Sequence, residues 1–107
     1  MSEQRNWTKE SIRELLTHSN EAVERAIVAI FRRQTEDERR TDQTKHHNGR
    51  GFCAFDARRG SYYAKWVLSG RHLSGQHLVK ARKMVMAYAR QLLEIAEAKQ
   101  EKEMQHV

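Results

Sequence analysis

One apolar stripe near the C-terminal end limits the folds open to this chain. Its apolar positions recur every three or four residues, which is the period of a helix that buries one face. Ser74 is well placed as the N-cap of this helix, and Leu73 and Leu78 form the flanking hydrophobic pair. From Gly75 to Ala96 the helix would measure about 33 Å at 1.5 Å per residue. We therefore predict a long C-terminal helix, whose stripe consists of Leu78, Ala81, Val85, Tyr88, Ala89, Leu92, Ile95 and Ala96.

The N-terminal third contains two further apolar segments with the same helical period. Thr8 is a good cap for the first of them. A polar interruption at 17–20 follows, in which either Ser19 or Asn20 can cap the next helix. The pattern leaves open whether this interruption is a true break or a kink in one long helix. The second stripe consists of Val23, Ala26, Ile27, Ile30 and Phe31.

A polar stretch separates these stripes from a third predicted helix. Residues 32–51 contain no aliphatic or aromatic side chain. Because the stretch ends in glycine-rich, basic sequence, we predict a basic loop at about 41–51. The third helix is expected to begin at a cap on Asp56 and to close near Ser69. Gly60 lowers the helix propensity by about 1 kcal/mol relative to alanine, so a later start stays open.

These patterns predict an all-α fold, a small bundle of three to four helices. The chain has no proline, which suits long helices and disfavours a turn-rich β-sandwich. We expect a single helical domain over 1–107, with a frayed tail at 97–107. No apolar run approaches the roughly 20 residues that span a bilayer, and the polar N-terminus lacks a secretory signal. Cys53 is the single cysteine, so we expect a cytoplasmic protein without disulfides or membrane partners.

The charge of the chain is distributed unevenly. Between Arg39 and Arg90 there are twelve Lys or Arg residues and two acids, whereas the two flanks together hold eight basic and twelve acidic residues. Folding does not require such an asymmetry, so it indicates a negatively charged partner. The partner classes that fit are nucleic acid and an acidic surface of another protein.

Several side chains of the basic stretch are candidate contacts for such a partner. Lys and Arg can bind phosphates, and the positive N-terminal end of the last helix favours an anion there. Aromatic side chains can stack on bases. The competing interpretation is that the cations form a solvated face and that the aromatic residues belong to the core. The candidate residues are Lys45, Arg50, Arg58, Arg59, Tyr62, Trp66, Arg71, Ser74, His77, Lys80 and Lys83.

The pattern supports neither metal binding nor catalysis. There is no C-x-x-C motif, and His72 and His77 are five residues apart, which does not match the spacing of helical zinc ligands. We interpret Cys53 as an inert thiol between apolar neighbours. We interpret Asp56 as a helix cap, which leaves the basic stretch without a pair of carboxylates for acid–base chemistry. We therefore expect no metal, no cofactor and no enzymatic activity.

A series of short motifs runs through the second half of the chain. They are Asn-Gly-Arg-Gly-Phe at 48–52, Asp-Ala at 56–57, Gly-Arg-His-Leu-Ser at 70–74, Ala-Arg-Lys at 81–83 and Tyr-Ala-Arg-Gln-Leu at 88–92. Over residues 45–92 this series resembles a class of short proteins encoded by phages and plasmids. The chain departs from that pattern at Gln76, which comes one residue early, and at Cys53. The resemblance implies an origin on a mobile element.

Together with the basic stretch, this origin predicts an accessory protein that binds nucleic acid, either single-stranded or without sequence preference. The alternative is a protein inhibitor or adaptor, such as a counter-defence protein, that acts on a host nucleic-acid-processing complex. A basic helical surface can dock on an acidic protein patch as readily as on phosphate, so both classes stay open.

Overall fold

The computed structural model describes residues 7–41 and 51–105, and within them the side chains of 7–35 and 51–99. Over these residues the chain forms helices and no strand, which confirms the all-α prediction. The helices are α1 (Lys9–His18), α2 (Asn20–Thr41), α3 (Ala57–Leu68), α4 (Gly75–Met86) and α5 (Ala89–Gln105). The basic loop predicted at about 41–51 lies, except for its two end residues, outside the described part of the chain.

A true break at Ser19 separates α1 from α2. The first helix begins with a reciprocal cap, in which the Thr8 hydroxyl accepts the Ser11 N–H at 3.1 Å and the Ser11 hydroxyl accepts the Thr8 N–H at 2.9 Å. Ser19 is extended (φ −124°, ψ 115°), and its hydroxyl accepts the N–H of Ala22 at 3.1 Å. One serine therefore ends α1 and caps α2, and the chain changes direction at this point.

The second helix is the centre of the bundle, because α2 packs against each of the other four helices. Its predicted stripe is confirmed: Val23, Ile27 and Ile30 are completely buried. Full burial of an aliphatic side chain of this size stabilises a fold by about 1.5–3 kcal/mol. The core therefore forms around one face of α2.

The prediction of one long C-terminal helix is wrong, because the helix is interrupted at Ala87 and Tyr88. The N–H groups of these residues bond to carbonyls three residues back, Met84 at 3.1 Å and Val85 at 2.9 Å. The chain thus tightens for one turn, and α4 then packs mainly on α2 while α5 packs mainly on α1. The described residues consequently form five helices rather than the predicted three to four.

The last helix continues to Gln105, and so includes most of the segment 97–107 for which the sequence predicts fraying. Fraying itself stays a prediction. None of the helices in the described segments is both long enough and apolar enough to cross a bilayer.

The residues that precede α3 are fixed by side-chain amides from α2 and α5. The amide of Gln91 pairs with both backbone groups of Gly51: Oε1 accepts its N–H at 2.8 Å, and Nε2 donates to its carbonyl at 2.9 Å. The Oε1 of Gln34 accepts the N–H of Phe52 at 3.2 Å. Gly51 has φ +85°, and a Cβ there would lie 2.5 Å from the Cβ of Gln34. Only glycine fits this close approach.

Asp56 occupies the N-cap position of α3, but the interpretation of its side chain as a cap is wrong. Its carboxylate instead accepts the Tyr88 hydroxyl at 2.8 Å, and the same hydroxyl accepts the Cys53 N–H at 2.9 Å. Burial raises the pKa of Tyr88; the side chains of Cys53 and Asp56 add to this increase, and the hydrogen bond from the Cys53 N–H opposes it. The carboxylate therefore links the turn before α3 to the interruption between α4 and α5.

Helix α3 begins at Ala57, so the later start that Gly60 left open does not occur. Gly60 is buried because the Phe52 ring packs against it, and a Cβ there would lie 2.6 Å from ring atoms. The Phe52 ring also meets Tyr88 edge to face, with centroids 5.7 Å apart. The glycine that lowers helix propensity therefore makes room for an aromatic side chain of the core.

Candidate nucleic-acid interface

Five of the residues predicted from the sequence come together where α3 meets the loop before α4. The ring centroids of Tyr62 and Trp66 lie 6.3 Å apart, with their planes inclined by 36°. The guanidinium carbon of Arg71 lies 4.5 Å from the Trp66 ring centroid, which is a cation–π contact. Ser74 and His77 line a small cavity together with Tyr62 and Trp66. The structure thus unites an aromatic pair, a guanidinium group and the start of α4.

We refer to this cavity, of about 60 Å³, as the aromatic cleft. Tyr63 is buried in the core, and its ring meets the imidazole of His77 edge to face, with centroids 5.9 Å apart. Tyr62 is 56% exposed, so part of its ring faces solvent. The residues that line the cleft are Tyr62, Tyr63, Trp66, His72, Leu73, Ser74 and His77.

A carboxylate from α2 holds the loop on which the cleft depends. The side chain of Glu24 is only 10% exposed; it accepts the N–H of Leu73 at 2.7 Å and pairs with His72 Nδ1 at 3.0 Å. The indole N–H of Trp66 donates to the His72 carbonyl at 3.1 Å. The loop is therefore tied both to α2 and to α3, and its shape is set before any ligand binds.

The start of α4 lies beside this loop without a side-chain cap. Ser74 has the extended backbone of an N-cap, as predicted, but its hydroxyl makes no capping bond. The first N–H groups of a helix have no partner within it. Along α4, the N–H of Leu78 is the first that has a backbone acceptor among the described residues; it donates to the Ser74 carbonyl at 3.4 Å. The preceding N–H groups, together with the helix dipole, favour an anion at this end.

The other predicted cations lie along the two helices that form the cleft. Arg58 and Arg59 precede Tyr62 by one helical turn, and Lys80 follows His77 by three residues, so each pair lies on neighbouring helix surface. With Lys83, these cations are exposed and form no ion pair with any residue that the structure describes. The remaining two candidates, Lys45 and Arg50, lie outside the described residues.

The sequence from Ala57 to Leu93 contains no Asp or Glu, so the surface of α3 and α4 lacks carboxylates of its own. Glu24 approaches this surface from α2 and is buried beneath the loop, and Asp56 occupies the N-cap position of α3 with its carboxylate on the Tyr88 hydroxyl. Arg82 is the exception among the cations of α4, because its Nε donates to the Leu16 carbonyl at 2.8 Å and its Nη2 donates to Asn20. Arg82 therefore joins α4 to α1 and α2.

A turn before α3 presents a residue that the candidate set did not include. Phe55 is 91% exposed, and the turn that carries it is closed by the N–H of Asp56, which donates to the Cys53 carbonyl at 3.0 Å. The sequence placed Phe55 among the aromatic residues of the basic stretch, but gave no signal that its ring points outward.

The chemistry offered by this surface is recognition of an anion and of an aromatic ring. It combines exposed aromatic faces, guanidinium and ammonium groups, and uncapped N–H groups. Within residues 7–41 and 51–105, no three His, Cys, Asp or Glu side chains are grouped so that they could hold a metal ion. Comparison of the chain with models of known families, with curated proteins and with solved structures finds no match.

Proposed function

We propose that this protein is an accessory protein of a phage or plasmid that binds nucleic acid, in the cytoplasm of the host cell, through the basic face of α3 and α4. The observation that carries the proposal is the guanidinium of Arg71 stacked on Trp66, beside the exposed ring of Tyr62. A stacked guanidinium keeps its N–H edge free for phosphate. An aromatic face next to it suits a base. This pairing of groups matches the two parts of a nucleotide.

The position of two arginines supports the same proposal. Arg58 and Arg59 lie in the first turn of α3, which contains no acidic residue. A cation at this end opposes the helix dipole, at a cost of about 0.3–1 kcal/mol each. A phosphate bound nearby would reverse that cost. The arrangement is therefore unfavourable for the free helix and favourable for a complex with a polyanion.

The test is the salt dependence of binding to mixed-sequence oligonucleotides. If four to six phosphates are neutralised, the log–log slope of affinity against salt should be about −3 to −5. The double change Arg58→Ala and Arg59→Ala should flatten the slope by about two units, one for each lost contact. The matched control is Lys9→Ala with Arg13→Ala, which removes the same charge from exposed positions on α1 and should leave the slope near that of the unchanged protein. Absence of binding at low salt by the folded protein would rule out the proposal.

A second candidate function is docking on an acidic surface of a host nucleic-acid-processing complex, as a counter-defence inhibitor or adaptor. The observation that favours it is Phe55, an almost fully exposed ring on a turn fixed by hydrogen bonds. Aromatic side chains on rigid supports are common anchors of protein interfaces. Affinity purification after nuclease treatment, with Phe55→Ser as the comparison, separates the two functions. A captured protein that resists nuclease and is lost with Phe55→Ser would support docking.

A further inference from the structure

We infer that the aromatic cleft accepts a single unpaired base, and that the protein consequently prefers single-stranded nucleic acid to duplex. This inference rests on the proposed nucleic-acid function and adds to it the form of the ligand. It is independent of the cations at Arg58, Arg59, Lys80 and Lys83, which can bind the phosphates of either form.

The geometry of the cleft identifies the stacking face. Arg71 already lies over the Trp66 ring, so it covers part of that indole. Tyr62 stands beside Trp66 and has more than half of its surface exposed. A base that enters the cleft would therefore stack on Tyr62, with its phosphate within reach of the Arg71 guanidinium.

The opposite side of the cleft supplies polar groups. Ser74 makes no capping bond, so its hydroxyl is available to a ligand. The imidazole of His77 lies edge to face against the buried Tyr63 ring. A hydroxyl and an imidazole can both donate and accept, which suits the mixed donors and acceptors on the edge of a base.

The stacking face of Tyr62 distinguishes the two forms of nucleic acid. In a duplex, the faces of each base are covered by its neighbours, and a base can stack on Tyr62 only after it leaves the duplex stack. Single strands present these faces without that cost. A ring that stacks on a base face therefore discriminates between the two forms, whereas an exposed cationic surface does not.

The experiment compares an oligothymidine of about 15 nucleotides with a mixed-sequence duplex of the same length, by fluorescence anisotropy at constant salt. The unchanged protein should bind the single strand more tightly. Tyr62→Ala should weaken single-strand binding by about 5- to 100-fold and leave duplex binding unchanged, because it removes the stacking face and no charge. Phe55→Ala is the matched control, since it removes another exposed ring from outside the cleft and should alter neither affinity.

A second measurement uses the fluorescence of Trp66 to detect binding at the cleft. Trp7→Phe leaves Trp66 as the one tryptophan of the chain. Oligothymidine should then change the emission of Trp66, and the duplex should not. Circular dichroism of each variant checks that it is folded.

The outcomes separate this inference from the proposed function. If Tyr62→Ala weakened the affinity for both ligands equally, or if the duplex bound more tightly, the inference that the cleft binds an unpaired base would be overturned. The proposed nucleic-acid function would stand as long as salt-dependent binding persists. Loss of binding to both ligands in the unchanged protein would overturn both. A selective loss of single-strand affinity in Tyr62→Ala, with Phe55→Ala unaffected, would support the inference.

Discussion

The ring of Phe52 lies so close to Gly60 that a Cβ on Gly60 would be 2.6 Å from its Cε1 and Cζ atoms. Replacement of a helical glycine by alanine normally stabilises the helix by about 1 kcal/mol. Here the added methyl group must displace a buried ring, which typically costs about 1–3 kcal/mol. We expect Gly60→Ala to lower the free energy of unfolding, measured by urea denaturation.

The control for this change lies on the same helix. Ser61→Ala raises helix propensity at a half-buried position without a clash, so its free energy of unfolding should be equal or higher. In a Phe52→Leu background, Gly60→Ala should cost less than in the unchanged protein, because the smaller side chain can move aside. An additive double-mutant cycle would contradict the packing argument.

Glu24 should be important for stability because its carboxylate accepts the Leu73 N–H from beneath the loop between α3 and α4. Glu24→Ala leaves that N–H without its partner, which we expect to cost about 1–3 kcal/mol. The loop that carries Arg71 should loosen as well, so oligonucleotide affinity should fall together with the thermal midpoint.

The same helix provides the matched control for Glu24. Glu21 is exposed and pairs with Arg25 at the surface. Glu21→Ala should therefore change the free energy of unfolding by no more than about 0.5 kcal/mol. If the two glutamate variants were equally stable, the proposed role of Glu24 would be wrong.

The sequence predicts the helices and the core well because helical periodicity is a local property. The stripe of Val23, Ile27 and Ile30 follows from spacing alone, and these residues are completely buried. The interruption at 87–88 could not be predicted in this way, because the stripe keeps its spacing across it.

The candidate site is predictable only in part, for a related reason. Trp66 and Arg71 are close in sequence, and both were proposed. The role of Glu24 depends on Leu73, 49 residues away, and such a pairing leaves no trace in local periodicity. The contact of Tyr63 with His77 likewise depends on how α3 packs beside α4.

The short motifs in the second half of the chain have a structural explanation. Gly51, Phe52, Asp56, Tyr88 and Gln91 all belong to these motifs, and all meet where the segment before α3 is held. The sequence pattern identified these residues without indicating that they contact one another. The structure gives them a shared role in packing that segment.

Tyr88 should make stability depend on pH in the alkaline range. In the unfolded chain a tyrosine ionises near its ordinary pKa of about 10, whereas burial raises the pKa of Tyr88 in the folded state. The resulting stabilisation is complete below about pH 10 and is lost as the pH rises above it, since the unfolded state then releases the proton. Tyr88→Phe should flatten this alkaline decline.

At neutral pH, Tyr88→Phe should be less stable by about 1 kcal/mol, because the Cys53 N–H loses its acceptor. Tyr62→Phe, which removes an exposed hydroxyl, should change stability at pH 7 by less than about 0.5 kcal/mol. The measurement is urea denaturation at a series of pH values. A Tyr88→Phe protein with the same alkaline slope as the unchanged protein would contradict the argument.

Arg58 and Arg59 should affect stability and binding in opposite directions. The double change to glutamate places two negative charges at the positive end of α3, which we expect to stabilise the free protein by about 0.3–1 kcal/mol per position. The same change should abolish salt-dependent oligonucleotide binding. Thermal denaturation and anisotropy on one preparation test both parts, and a loss of stability would show that these side chains have a structural role.

Three successive amide groups, those of Gly51, Phe52 and Cys53, donate to side chains rather than to the backbone: Gln91, Gln34 and Tyr88 are their acceptors. The helices keep their own hydrogen bonds if these side chains release the segment. Hydrogen exchange of the three amides should therefore report a local opening of lower free energy than global unfolding. Such an opening would break three hydrogen bonds to side chains and expose the buried Phe52 ring, while the backbone bonds of the helices stay intact.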